Sequence, residues 1–149
     1  MSQVAAEIFK AYDIRGIVGK SLTAETVELI GKALGSEASK RGGHTISIGY
    51  DGRLSGPEFA KALARGIQST GMNVINIGMA VTPMVYFAGF HFSTGSAVMI
   101  TGSHNPPDYN GIKMVIAGHT LSGDAIQALR ARAESAPLEK GPGSIKKRD

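Results

Sequence analysis

Apolar positions along this chain recur with two different periods, and the changes of period divide it into elements. Between Thr23 and about Lys40, Val27, Ile30, Leu34 and Ala38 fall three or four residues apart, the spacing that places them on one face of a helix. Ser21 or Thr23 stands where a cap is needed. Thr45 to Tyr50 (T-I-S-I-G-Y) then alternates with period two, as a strand does, and Asp51-Gly52 closes it. A second helix is expected from about Gly56 to Ser69, with Ser55 as cap, Pro57 near the first turn and Phe59, Leu63 and Ile67 on one face. Asn73 to Gly78 reads as a strand, Thr82-Pro83 opens a helix to about Phe90, and Ser96 to Ile100 reads as another strand. Ile8 to Tyr12 is expected to be extended, and a last helix spans Ser122 to Ala133.

Strands separated by whole helices are most simply parallel, with right-handed crossovers. Ile112 to Ile116 follows the preceding strand without a helix between them and is expected to pair antiparallel. The fold class is therefore α/β: a layered, mixed, mainly parallel sheet with flanking helices in a single domain. That domain covers 1–136. Residues 137–149 carry no periodicity and read as a linker or a frayed C-terminal tail.

Composition narrows the picture in three places. With 149 residues, 42% of them hydrophobic, one core suffices without disulfides, and the absence of cysteine excludes thiolate catalysis and fits a reducing, cytoplasmic setting. No basic start precedes an apolar run, and no segment approaches the ~18 apolar residues of a membrane span. The net charge of +4 owes +2 to Lys146, Lys147, Arg148 and Asp149. With 6% aromatic residues and no tryptophan, stacking platforms for nucleic acid are poorly supplied, and a small anionic substrate suits the modest positive balance better.

The chemistry concentrates in Thr101 to Lys113, T-G-S-H-N-P-P-D-Y-N-G-I-K. Gly102, Pro106, Pro107 and Gly111 forbid regular structure directly after a buried strand, so Ser103 sits at a strand end, where α/β sheets present their functional loops. That placement makes Ser103 a candidate nucleophile. It is not in a G-x-S-x-G elbow, and neighbouring His104 points away from it in extended backbone, so a serine hydrolase is disfavoured. His44, His91 and His119 lack metal-ligand spacing.

This thirteen-residue run resembles the phosphoserine loop of the α-D-phosphohexomutases. Phe9 to Val18 (F-K-A-Y-D-I-R-G-I-V) resembles the same family's amino-terminal motif, and Gly49 to Ser55 (G-Y-D-G-R-L-S) resembles its G-x-D-x-R element. The resemblance implies the first of four domains of an enzyme that moves phosphate between O1 and O6 of a hexose, through a phosphoserine and a hexose 1,6-bisphosphate intermediate. Ser103 would carry the phosphoryl group, Lys113 would be general acid/base, Arg15 would offset charge, and His104 would position the phosphate. Tyr12 and Asn110 would bind sugar or phosphate. Asp13 and Arg53 are candidates for a structural ion pair, and structure is also the favoured role of Asp51.

The resemblance further implies Mg²⁺, to which the phosphate on Ser103 would supply one ligand. The family takes the others from a D-G-D-G-D-R loop in its second domain, and this chain contains no such run. Expected partners are a hexose phosphate and the missing domains, with neither nucleic acid nor membrane; the chain alone is expected to lack turnover. The alternative is a module that binds a phosphorylated ligand without turning it over.

Overall fold

A computed structural model describes residues 8–10, 14–79, 96–102, 109–116, 119–120, 124–134 and 145–147. Helix α1 (Ala24–Lys40) starts where Thr23 accepts a hydrogen bond from the Thr26 N–H at 3.2 Å. Val27, Ile30 and Leu34 are completely buried, and each contributes about 1.5–3 kcal/mol relative to an exposed position. Helix α2 (Gly56–Gln68) buries Phe59, Leu63 and Ile67, with Pro57 in its first turn, where a missing N–H costs nothing. The two helices cross at glycines. A Cβ on Gly66 would strike the carbonyl of Glu28 and stand 2.9 Å from the amide nitrogen of Lys32, so backbone meets backbone there.

The strands are β1 (Ile14–Ile17), β2 (Thr45–Tyr50), β3 (Asn73–Met79), β4 (Ala97–Ile100), β5 (Tyr109–Ile116), β6 (His119–Thr120) and β7 (Ile145–Lys147). They form one mixed sheet in the order β1-β5-β4-β2-β3-β7, with β6 also on β5. β4, β2, β3 and β7 run parallel, whereas β5 is antiparallel to β4, β1 and β6. The antiparallel return after the serine segment is thus as expected, with Ala97 opposite Val115 and Ile100 opposite Ile112. Of the segment expected to be extended, Ile8 to Tyr12, residues 8–10 are described; Phe9 makes an isolated bridge to Ile14, and β1 (Ile14–Ile17) pairs with β5.

Helix α3 (Asp124–Glu134) packs Ile126 and Leu129 into the same core as α1 and α2. That core takes Ile14, Ile46, Ile48, Val74, Val98, Ile100, Ile112 and Met114 from the sheet, alternate residues that share one face. Ala97 and Met99 look the other way and pack with Ile77. The tail needs amending: within 137–149, expected to be a linker or frayed, Ile145–Lys147 adds an edge strand parallel to β3. Three residues are too few to show periodicity, and their pairing partner lies about seventy positions earlier in the chain. The helix expected from Thr82-Pro83 to Phe90 falls outside the described residues.

Candidate active site

β2 and β4 are parallel, so their C-terminal ends emerge side by side, and antiparallel β5 starts at the same edge. Asp51, Thr101-Gly102 and Tyr109-Asn110 meet there. The Asp51 carboxylate accepts from the Thr101 hydroxyl at 2.8 Å and the Gly102 N–H at 3.1 Å through Oδ2, and from the Arg53 N–H at 3.1 Å through Oδ1. The Arg53 guanidinium stands 3.7 Å from Asp51 Oδ2 through Nε and donates from Nη1 to the Tyr109 carbonyl at 3.1 Å. Arg15, from β1, donates from Nη1 to the Gly102 carbonyl at 3.0 Å. The residue before Ser103 is therefore held by its N–H, its C=O and, on its Cα, by Arg53, which fills the space a Cβ would need. Glycine is required here by that close approach.

Lys113 and Arg15 share a sheet face. Arg15 pairs with Gly111 and Lys113 with Met99, so the two cations are diagonal neighbours on the face opposite α1, α2 and α3, both half-buried. This brings together two of the expected catalytic residues. Ser103, His104 and Tyr12 lie outside the described residues, as does Asp13, so the expected Asp13–Arg53 pair is not among the contacts described; Arg53 pairs with Asp51.

Asn110, expected to contact sugar or phosphate, is engaged within the domain. It sits on the core face of β5, completely buried, donating from Nδ2 to Ser55 Oγ at 2.7 Å and accepting the Gly111 N–H at 2.9 Å. Both ends of its amide are used inside the protein, where it ties the start of β5 to the start of α2. The same bond engages Ser55, which stands at the cap position of α2 as expected. Its side chain makes no capping bond and instead accepts from Asn110. Sequence spacing finds cap positions, but it does not show which donor outcompetes the helix N–H groups.

The family profile described as "Phosphoglucomutase/phosphomannomutase, alpha/beta/alpha domain I" matches residues 6–140. The chain belongs to this family. It is 58% identical over 129 residues to a phosphoglucomutase of Neisseria meningitidis serogroup B, covering 87% of this chain and 28% of that protein. With the phosphomannomutase/phosphoglucomutase of Pseudomonas aeruginosa it shares 53% identity over 144 residues, 97% of this chain and 31% of the relative. A crystal structure of a phosphoglucomutase/phosphomannomutase family protein from Burkholderia thailandensis superposes with a TM-score of 0.93 at 43% identity, over 99% of this chain and 34% of that one. The chain spans less than a third of the length of these two curated relatives.

The strand-end edge is the stretch where family motifs and charged side chains coincide. The element G-Y-D-G-R-L-S supplies Asp51 and Arg53, whose role as fasteners of the serine segment only the fold makes visible. Among the described residues, no three His, Asp or Glu side chains converge as metal ligands. Asp51, the carboxylate at the edge, is occupied by O–H and N–H donors and a nearby guanidinium, which does not fit a divalent cation. Among the described residues, no helix is long and apolar enough to cross a membrane.

Proposed function

We propose that this chain is the phosphoserine-bearing domain of a hexose-phosphate mutase acting on glucose or mannose phosphates. The observation that carries the reading is the treatment of Gly102: charged side chains from β1 and from the segment after β2 hold the residue before Ser103, with Lys113 and Arg15 on one sheet face. Phosphoryl transfer demands positioning and charge compensation more than covalent chemistry, and a rigid backbone beside the phosphate carrier serves the first demand.

In this reading the bond between phosphorus and Ser103 Oγ breaks as a hydroxyl oxygen of the hexose phosphate attacks, and Lys113 takes that hydroxyl's proton and passes it to the departing Ser103 oxygen. The bisphosphate so formed reorients in the site, and its other phosphoryl group passes to the Ser103 oxygen as its bond to the sugar oxygen breaks, with Lys113 moving the serine proton to that sugar oxygen. Arg15 offsets charge at the phosphate, His104 positions it, and Tyr12 contacts the sugar or phosphate. Mg²⁺, when bound, would offset charge on the phosphate of Ser103, which would be one of its ligands in this reading. The chain alone has no appreciable turnover in this reading, since sugar recognition lies beyond it.

The test is a chimera in which the chain replaces the matching region of the Pseudomonas aeruginosa relative. We expect a single phosphate by intact mass, mapped to Ser103, with conversion of hexose 1-phosphate to 6-phosphate. Neither is expected in Ser103→Ala, and no conversion is expected from the isolated chain. A chimera that retains a phosphorylated ligand while Ser103 stays unmodified makes the domain a binding module and overturns the reading.

A further inference from the structure

We propose that Arg53 is a positioning residue for phosphoryl transfer at Ser103, fixing Gly102 and Tyr109, the two residues that flank 103–108, relative to each other. The proposal rests on the function proposed above. Paired register between β4 and β5 runs from Ala97–Val115 to Ile100–Ile112, followed by a bond from the Thr101 N–H to the Gly111 carbonyl at 2.9 Å. Arg53 spans the two strands past that point. One end of its guanidinium binds the Tyr109 carbonyl, and the plane lies against the Cα of Gly102.

Two features argue for positioning over contact with a substrate phosphate. The Arg53 side chain is only 16% exposed, and its guanidinium donates to the Tyr109 carbonyl and stands beside Asp51 within the protein. Arg15 has a different position on β1, where it pairs with Gly111 and reaches the Gly102 carbonyl from another strand. The demand on residue 53 is also geometric. A flat, forked cation can cover a Cα and reach a carbonyl beyond it, whereas the point charge of a lysine does one or the other. Glycine at 102 is the matching half of the device, because a methyl group there would evict the guanidinium while leaving its charge in the protein.

In the chimera, Arg53→Lys is expected to lower kcat by about ten- to a hundredfold, with KM changed less than about twofold, the signature of misplaced reacting groups. Gly102→Ala should do the same, and the double variant should be no worse than either single one, because both remove one contact. Added methylguanidinium should restore part of the activity of Arg53→Ala. In the isolated chain, Arg53→Lys should speed amide exchange at Thr101 and Gly102 by about tenfold and leave β2 and β3 unchanged.

Wild-type kcat in Arg53→Lys overturns the proposal. So do a loss confined to KM, which would put the guanidinium on substrate, additive losses in the double variant, and exchange that rises evenly across the sheet. Absence of turnover in the unsubstituted chimera strikes the proposed function instead. Exchange in the isolated chain then decides on Arg53 alone, and unchanged rates at Thr101 and Gly102 reject it.

Discussion

Where α1 crosses α2, Gly66 lies on the backbone of Glu28 and Lys32, and Val27, Ile30, Leu34, Leu63 and Ile67 close over the contact without exposure. At the strand ends, Gly102 is also packed without room for a Cβ, but what surrounds it is Asp51, Arg53 and Arg15. Both regions use a glycine to admit a neighbour, and they use it for different ends. Apolar burial is non-directional and large, so the helix crossing holds the domain together without selecting one hydrogen-bond geometry. Charged hydrogen bonds add less net stability in a half-exposed setting, yet they prescribe direction and distance for the backbone they hold. The first region supplies stability, and the second supplies aim.

Three substitutions test that division, in descending effect on stability. Gly66→Val forces the helices apart at backbone atoms that no side-chain rotation can relieve, and should cost about 3 kcal/mol or more in denaturant unfolding. Since ΔG of a small domain is about 5–15 kcal/mol, a large part of the molecule's margin would go. Asp51→Ala removes the acceptor of the Thr101 hydroxyl and of two backbone N–H groups. Water reaches this edge, so the expected loss is about 1–2 kcal/mol, with faster amide exchange at Thr101 and Gly102 while α1 and α2 keep theirs. If Asp51→Ala destabilises the helices as much as Gly66→Val does, the two regions are one cooperative unit and the contrast fails. Glu28→Gln, at the exposed pair with Arg65 beside the same helix crossing, should change stability by less than about 0.5 kcal/mol. A larger loss there would mean that directional charge also matters at the helix crossing.

Residues whose environment is set by near neighbours in sequence could be read directly. The spacing of Val27, Ile30 and Leu34 places α1 to within a residue, and Thr23 proves to be its cap. Alternation in T-I-S-I-G-Y gives β2 with both ends correct. Ser55 could not be read in this way, because its partner Asn110 is 55 positions away and wins its hydroxyl from the helix. Nor could Asn110, since the face of β5 it occupies depends on register with β4 and β1. A shift of one residue would have turned Asn110 outward and Lys113 into the core.

The site divides along the same line. Breakers in Thr101 to Lys113 and the charged motif around Asp51 and Arg53 identify, from sequence alone, the segments where chemistry is concentrated. Local chain stiffness and hydrophobic period carry that information, and both are properties of adjacent residues. The pairing of Arg53 with Tyr109, the approach of Arg15 to Gly102 and the shared face of Arg15 and Lys113 join β1, β5 and the segments that follow β2 and β4, from distant parts of the chain. Those were decided only when sheet order and register were set, because a directional contact exists only once both of its partners have a place.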